Sequence, residues 1–239
     1  MKIERPIIAL DFPNAETAYR FLDRFPKDEH LFVKIGMELF YSEGRAVVEH
    51  VIGRGHDVFL DLKCHDIPHT VANAMRVIGQ MGVALTTLHA SGGREMMLAA
   101  KEGLLDGAGG NNVPQLLAIT QLTSTDENMV ANEQLVRVNL QESVRNYARL
   151  AQSSGMDGVV CSAQEAAMIM EATAPEFMRI TPGIRMVGND HGDQKRVMTP
   201  DQAAAQHSSG IVVGRAITQA ADPVAAYRQV MRLWRGERE

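Results

Sequence analysis

The sequence predicts an α/β fold, a closed (β/α)8 TIM barrel built as a single domain from residues 1–239. Two observations carry this expectation. Short apolar, β-rich runs alternate with amphipathic helical stretches from end to end, and the alternation repeats eight times. No composition shift or Ser/Pro-rich linker divides the chain. An open doubly wound sheet could hold the same units, but it places a glycine-rich turn after its first strand, and here ALDF is followed by PNAE.

The eight strands are expected at residues 7–12, 31–37, 58–63, 85–90, 115–122, 158–162, 178–182 and 210–214. Each gap is wide enough for a helix. After Pro68, which suits a first helical turn, apolar side chains fall at Val71, Met75, Ile78 and Met81, the spacing of one buried stripe. In the last helix Asp222 can cap, Pro223 opens the first turn, and Val224, Tyr227, Met231 and Trp234 form the inward face. The run GAGGNN at residues 107–112 follows a helix rather than a strand, so it is a loop and not a dinucleotide fingerprint.

Hydrophobic residues are 45% and charged residues 22% of the chain, which excludes a disordered or fibrous class. A net charge of −5 with no Lys/Arg block argues against nucleic acid as a partner. No apolar run approaches a membrane span, and MKIERPIIALDF lacks a signal-peptide core with a cleavage site, so a cytoplasmic protein is expected. Cys64 and Cys161 are far apart and outside any CxxC pair, which favours two reduced thiols over zinc or a disulfide.

Active sites of such barrels lie at the carboxyl ends of the strands, so charges there are the first candidates. Asp11, Lys34, Asp61 and Lys63 each sit in or just after an apolar strand, where an unpartnered charge costs several kcal/mol. Asp61 and Lys63 are two apart, which points both side chains the same way, and Asp66 follows within the next turn. A lone Asp-x-Lys is equally well a structural ion pair; Lys34 tips the balance toward function. A phosphate site is expected in the loops after strands seven and eight. TPGIR (with Pro182 and Arg185) and GRAIT (with Gly214 and Arg215) each join a glycine to an arginine that can hold phosphate bidentately.

The segment that holds three of these charges, DLKCHDIPHT at residues 61–70, closely resembles the signature of the orotidine 5′-phosphate decarboxylase family. The resemblance spans the chain: ALD at Asp11, VKIG at Lys34, QLTS around Thr123, TPGIR, the Asp-Gln-x-Arg run at residues 193–196, and VGRAIT. The chain departs from the family pattern at Cys64, His69 and Ala216, none of which removes a charge. The resemblance implies cofactor-independent loss of CO2 from orotidine 5′-monophosphate to give UMP, the last step of pyrimidine nucleotide synthesis. It makes Lys63 the proton donor and places Asp61 near the substrate carboxylate. Asp66, Ile67 and Thr70 would reach into the neighbouring site of a homodimer. Asp11 and Lys34 would hold the ribose, Thr123 and Gln194 would read the pyrimidine or bridge to phosphate, and Arg215, Gly214 and the Arg185 loop with Pro182 would bind the phosphate.

Competing readings are weaker. His65 and His69 could flank a metal, but no third ligand is evident and Pro68 interrupts the geometry, so no metal is expected. Cys64 reads as core filler. Sugar-phosphate enzymes of the same barrel group, which decarboxylate keto-gulonate phosphate or synthesise hexulose phosphate, share Asp-x-Lys-x-x-Asp and use Mg2+; Ile67-Pro68 and QLTS favour the pyrimidine substrate. A silent nucleotide-binding protein would have lost a Lys or Asp, and all four strand-end charges are present.

Overall fold

The computed structural model describes residues 2–186 and 197–237. Eight parallel strands close in sequence order, the last beside the first. β1 (Ile7–Ala9) leads to α1 (Ala15–Leu22), and β2 (Phe32–Gly36) to α2 (Met37–Glu43) and α3 (Arg45–Gly53). β3 (Asp57–Cys64) leads to α4 (Pro68–Gly79), β4 (Leu85–His89) to α5 (Gly93–Ala108), and β5 (Gln115–Ile119) to α6 (Leu140–Ser153). β6 (Gly158–Val160) leads to α7 (Ala166–Ala172), β7 (Met178–Thr181) to α8 (Pro200–Ala205), and β8 (Gly210–Val213) to α9 (Arg215–Thr218) and α10 (Pro223–Arg235).

The expected barrel and all eight expected strands are therefore present. Several strands stop earlier than their apolar runs: β1 ends at Ala9 and β5 at Ile119. Each has a short neighbour: β6 offers β5 a ladder only from Gly158 to Val160, and β8 pairs with β1 only at Ile7 and Ile8. Asp11 and Gln121 are consequently released from the ladder into the loops above the barrel. Closure comes from the pairing of Ile7 with Val212 and Ile8 with Val213.

Two apolar layers result. Ile7, Ala9, Phe32, Phe59, Leu85, Leu117, Met178, Ile180 and Val212 fill the barrel interior. A larger layer between sheet and helices contains the stripe of α4 (Val71, Met75, Ile78, Met81) and the inward face of α10. In α10 Asp222 accepts from Val224 and Ala225 N–H, as its sequence demanded, and Tyr227, Val230 and Trp234 are buried. Trp234 Nε1–H donates to the Ile3 carbonyl at 2.8 Å, fastening the last helix to the first segment.

Gly107 belongs to α5 rather than to the loop expected at residues 107–112, and α5 ends at Gly109 in a left-handed C-cap. The reason is packing: α4 and α5 approach so closely that a Cβ on Gly103 would lie 2.1 Å from the Ala72 carbonyl oxygen, and one on Gly107 2.0 Å from that of Arg76. Alanine gains about 1 kcal/mol of helix propensity over glycine. A clash against main chain that cannot rotate away costs about 1–3 kcal/mol or more. The clash wins, so Gly107→Ala is expected to lower the thermal midpoint by several degrees; a rise would show that the helices are not in main-chain contact.

His56 opens β3's lower end with 8% exposure, and its Nδ1 accepts the Leu31 N–H at 3.3 Å. Burial lowers its pKa, Arg54 and His30 lower it further, and Asp57 opposes them. Because the folded value lies below the ordinary 6.5, the unfolded chain takes up the proton first on acidification. Stability is therefore lost as pH falls below about 6.5 and unaffected by this group well above it. Melting curves from about pH 7.5 to 5.5 should show that decline, with a shallower slope for His56→Gln.

Candidate active site

A cavity of about 670 Å³ opens at the carboxyl ends of the strands. Its floor is apolar, made by Ala9, Phe59, Ile119, Val160 and Val212, and its wall carries Asp11, Lys34, Asp61 and Lys63. The floor denies water access from beneath, so charges above it interact more strongly than they would in solvent.

The four charges alternate in sign. Lys34 Nζ donates to Asp11 Oδ1 at 3.0 Å and lies 3.9 Å from Asp61 Oδ2; Lys63 Nζ donates to the same Oδ2 at 2.7 Å. Asp61 is the most enclosed, its side chain only 10% exposed against 61% for Asp11. Two ammonium groups offset the desolvation of that carboxylate, so removing either leaves a nearly buried charge under-compensated.

Asp61 and Lys63 do face the same space, but the simple pleat is not the reason. From Leu60 to Cys64 β3 advances four residues while β4 advances two, from Thr86 to Leu88, so the register breaks at the charged residues. Lys63 takes a left-handed backbone, φ 52°. Such a conformation costs a non-glycine residue about 1–3 kcal/mol and persists only where its surroundings impose it. Here the buried Thr87 accepts the Lys63 N–H at 3.0 Å and donates to Asp61 Oδ1 at 2.9 Å. Beyond it, His89 has its pKa lowered by burial first, then by His65 and Lys63, with Asp61 opposing. A neutral imidazole beside Lys63 adds no competing cation.

The cavity gathers most of the expected residues: Thr123 from the loop after β5, Pro182, Gly183 and Arg185 after β7, and Gly214 and Arg215 after β8. Arg185 Nη1 donates to the Ile184 carbonyl at 3.0 Å, and its backbone N–H to the Met198 carbonyl at 2.9 Å, which holds the β7 loop against the segment that leads into α8. Gly36 keeps space beside the charges, since a Cβ there would stand 3.0 Å from Lys34 Nζ.

Three expected residues are elsewhere. Asp66 and Ile67, between β3 and α4, and Thr70, in the first turn of α4, are exposed and do not line this cavity within one chain. Asp66 instead accepts the Ile67 N–H at 2.6 Å. Gln194 lies outside the described residues. Two participants have no role in the sequence reading: Thr87, and Gln121, which enters there only as part of QLTS; Gln121 lines the cavity and donates to Gln134 Oε1 at 3.0 Å and Ser143 Oγ at 3.1 Å. Cys64 packs against the core and burial raises its pKa, as suits a filler rather than a nucleophile. No cluster of three or more metal-ligating side chains occurs among the described residues, nor any helix long and apolar enough to cross a membrane.

The model of the "Orotidine 5'-phosphate decarboxylase / HUMPS family" matches residues 4–230. An orotidine 5′-phosphate decarboxylase of Ligilactobacillus salivarius is 66% identical over 98% of this chain and 99% of its own length. Another from Cutibacterium acnes is 56% identical over the whole of both chains. Among solved structures, the orotidine 5′-phosphate decarboxylase of Lactobacillus acidophilus superposes with a TM-score of 0.87 at 41% identity, covering 96% of this chain and 98% of that one. An uncharacterised conserved protein of Geobacillus kaustophilus superposes with a TM-score of 0.86 at 46% identity, over 95% and 99% of the two chains. With the strand-end charges, the two arginine-bearing loops and this full-length likeness all in agreement, the chain belongs to the orotidine 5′-phosphate decarboxylase family.

Proposed function

We propose that this chain converts orotidine 5′-monophosphate to uridine 5′-monophosphate and CO2, without metal or organic cofactor, as the last step of UMP synthesis in the cytoplasm. The observation that carries the reading is the Lys63 ammonium, held 2.7 Å from Asp61 at the wall of a cavity whose other side presents Arg185 and Arg215.

Decarboxylation breaks the bond from C6 to the carboxyl group and leaves its electron pair on an sp2 ring carbon. With no electron sink, the stabilisation must come from fixed charge. An ammonium beside C6 favours the ring anion, then gives it a proton to form UMP; the resulting amine recovers its proton from solvent. Asp61 would lie by the substrate carboxylate. Two like charges at about 4 Å repel by roughly 4 kcal/mol at an effective dielectric of 20, and that repulsion ends as CO2 leaves. Asp61 cannot swing away, because Lys34, Lys63 and Thr87 all hold it.

The remaining assignments follow the same reading. Asp11 and Lys34 hold the ribose hydroxyls, and Thr123 and Gln194 read the base or bridge to phosphate. Arg215, Gly214 and the Pro182–Arg185 loop bind the phosphate, whose remote binding energy can be used in the transition state. Asp66, Ile67 and Thr70 serve the cavity of a second copy in a two-fold homodimer. Their exposure supports this: Ile67 is an apolar side chain left 66% exposed.

An absorbance assay with orotidine 5′-monophosphate tests the reaction. The parent should turn over equally with and without chelator, and Lys63→Ala should fold normally yet lose turnover by about 10^4-fold or more. Near-normal turnover by the variant would end the role of Lys63, and chelator sensitivity would point to metal-dependent sugar-phosphate chemistry instead. The shared site is tested by mixing. Lys63→Ala and Asp66→Asn, each nearly inactive alone, should recover part of the parental rate when co-refolded, because one site of the mixed dimer is intact; no recovery would place Asp66 outside the site.

A further inference from the structure

We infer that Thr87 is a positioning residue for the decarboxylation: its hydroxyl holds Lys63 in the left-handed backbone conformation and aims Asp61. The inference rests on the proposed reaction and adds a residue that touches no substrate.

The register break creates the need for this contact. Between Leu60 and Cys64, three residues of β3 face the single residue Thr87 of β4, so the ladder cannot satisfy the main chain there. The Lys63 N–H is a donor that must find a partner, since an orphaned one costs about as much as a lost hydrogen bond. It finds the Thr87 side chain at 3.0 Å. The hydroxyl has one proton, and one of its lone pairs accepts the Lys63 N–H; a carboxylate oxygen can only accept, so the proton goes to Asp61 Oδ1 at 2.9 Å. The directions are thus fixed: main chain of Lys63 to Thr87, Thr87 to carboxylate of Asp61. Meanwhile Asp61 Oδ2 accepts from Lys63 Nζ at 2.7 Å. Backbone, hydroxyl, carboxylate and ammonium form a closed ring.

A threonine kept only for its strand preference would need no such contacts. Its neighbour Thr86 shows the contrast: its Oγ1 is buried with no hydrogen-bond partner among the described residues. Thr87 is fully buried, so valine matches its shape and strand preference while removing just the hydroxyl. That change frees the left-handed turn to relax and leaves Asp61 Oδ1 able to rotate. A displacement of about 1 Å of a reacting group costs on the order of 100-fold in rate.

The experiment compares parent, Thr87→Val, Thr87→Ala and Thr87→Ser as full-length proteins. It measures kcat and KM for orotidine 5′-monophosphate, Kd for UMP, and the thermal midpoint. Thr87→Val and Thr87→Ala should lose about 30- to 100-fold in kcat with KM and the UMP Kd within about threefold of the parent, and Thr87→Ser should restore most of kcat. Should Thr87→Val not fold, the alanine and serine pair decides alone. The inference is overturned if the hydroxyl-free variants keep kcat within about threefold, if serine fails to rescue, or if kcat falls only as far as the folded fraction does. A parent that does not decarboxylate the substrate defeats the proposed function itself; an active parent with an equally active Thr87→Val defeats only the role of Thr87.

Discussion

The Asp61 carboxylate is the constraint on which the site depends. It sits over an apolar floor with little contact with water, and is offset by one ammonium from β2 and one from β3. A charge so placed must be surrounded by fixed partners, and fixing those partners fixes the geometry of the whole wall. Lys34 joins it to Asp11 above β1, so three consecutive strands are tied at their carboxyl ends by one alternating row. The row does for the top of the barrel what the interior apolar side chains do for its middle.

Much of this was legible in the sequence because charges at the ends of apolar strands have few alternative explanations. Asp11, Lys34, Asp61 and Lys63 announce themselves by interrupting runs that otherwise bury, and the Gly-Arg pairs after the last two strands are recognisable by position. The capping of α10 by Asp222 and the stripe of α4 were equally open to reading, since both follow from helix period and terminus chemistry.

What escaped did so for physical reasons. Thr87 looks like any β-branched residue in a strand, and nothing local reveals that a break in the facing strand turns its hydroxyl into a main-chain partner for Lys63. The two-residue spacing of Asp61 and Lys63 suggested the right side for both through a pleat that is not there; the left-handed turn achieves it instead. Gln121 belongs to QLTS, but its own place in the cavity wall is hidden because the run 115–122 reads as strand throughout, whereas pairing stops at Ile119 beside a short neighbour. Gly107 was read as loop because the cause of its smallness lies on another helix.

The main-chain contact between α4 and α5 has a consequence for molecular recognition. It extends along most of α4, from Ala72 to Gly79, and so clamps the helix whose first turn follows Asp66 and Ile67. That limb is therefore presented as a stiff edge rather than a loose strap. A surface docking there meets side chains whose anchor is already set, and association forfeits little conformational entropy in ordering them. Three glycines that do not line the cavity thereby set how firmly this exposed edge is held.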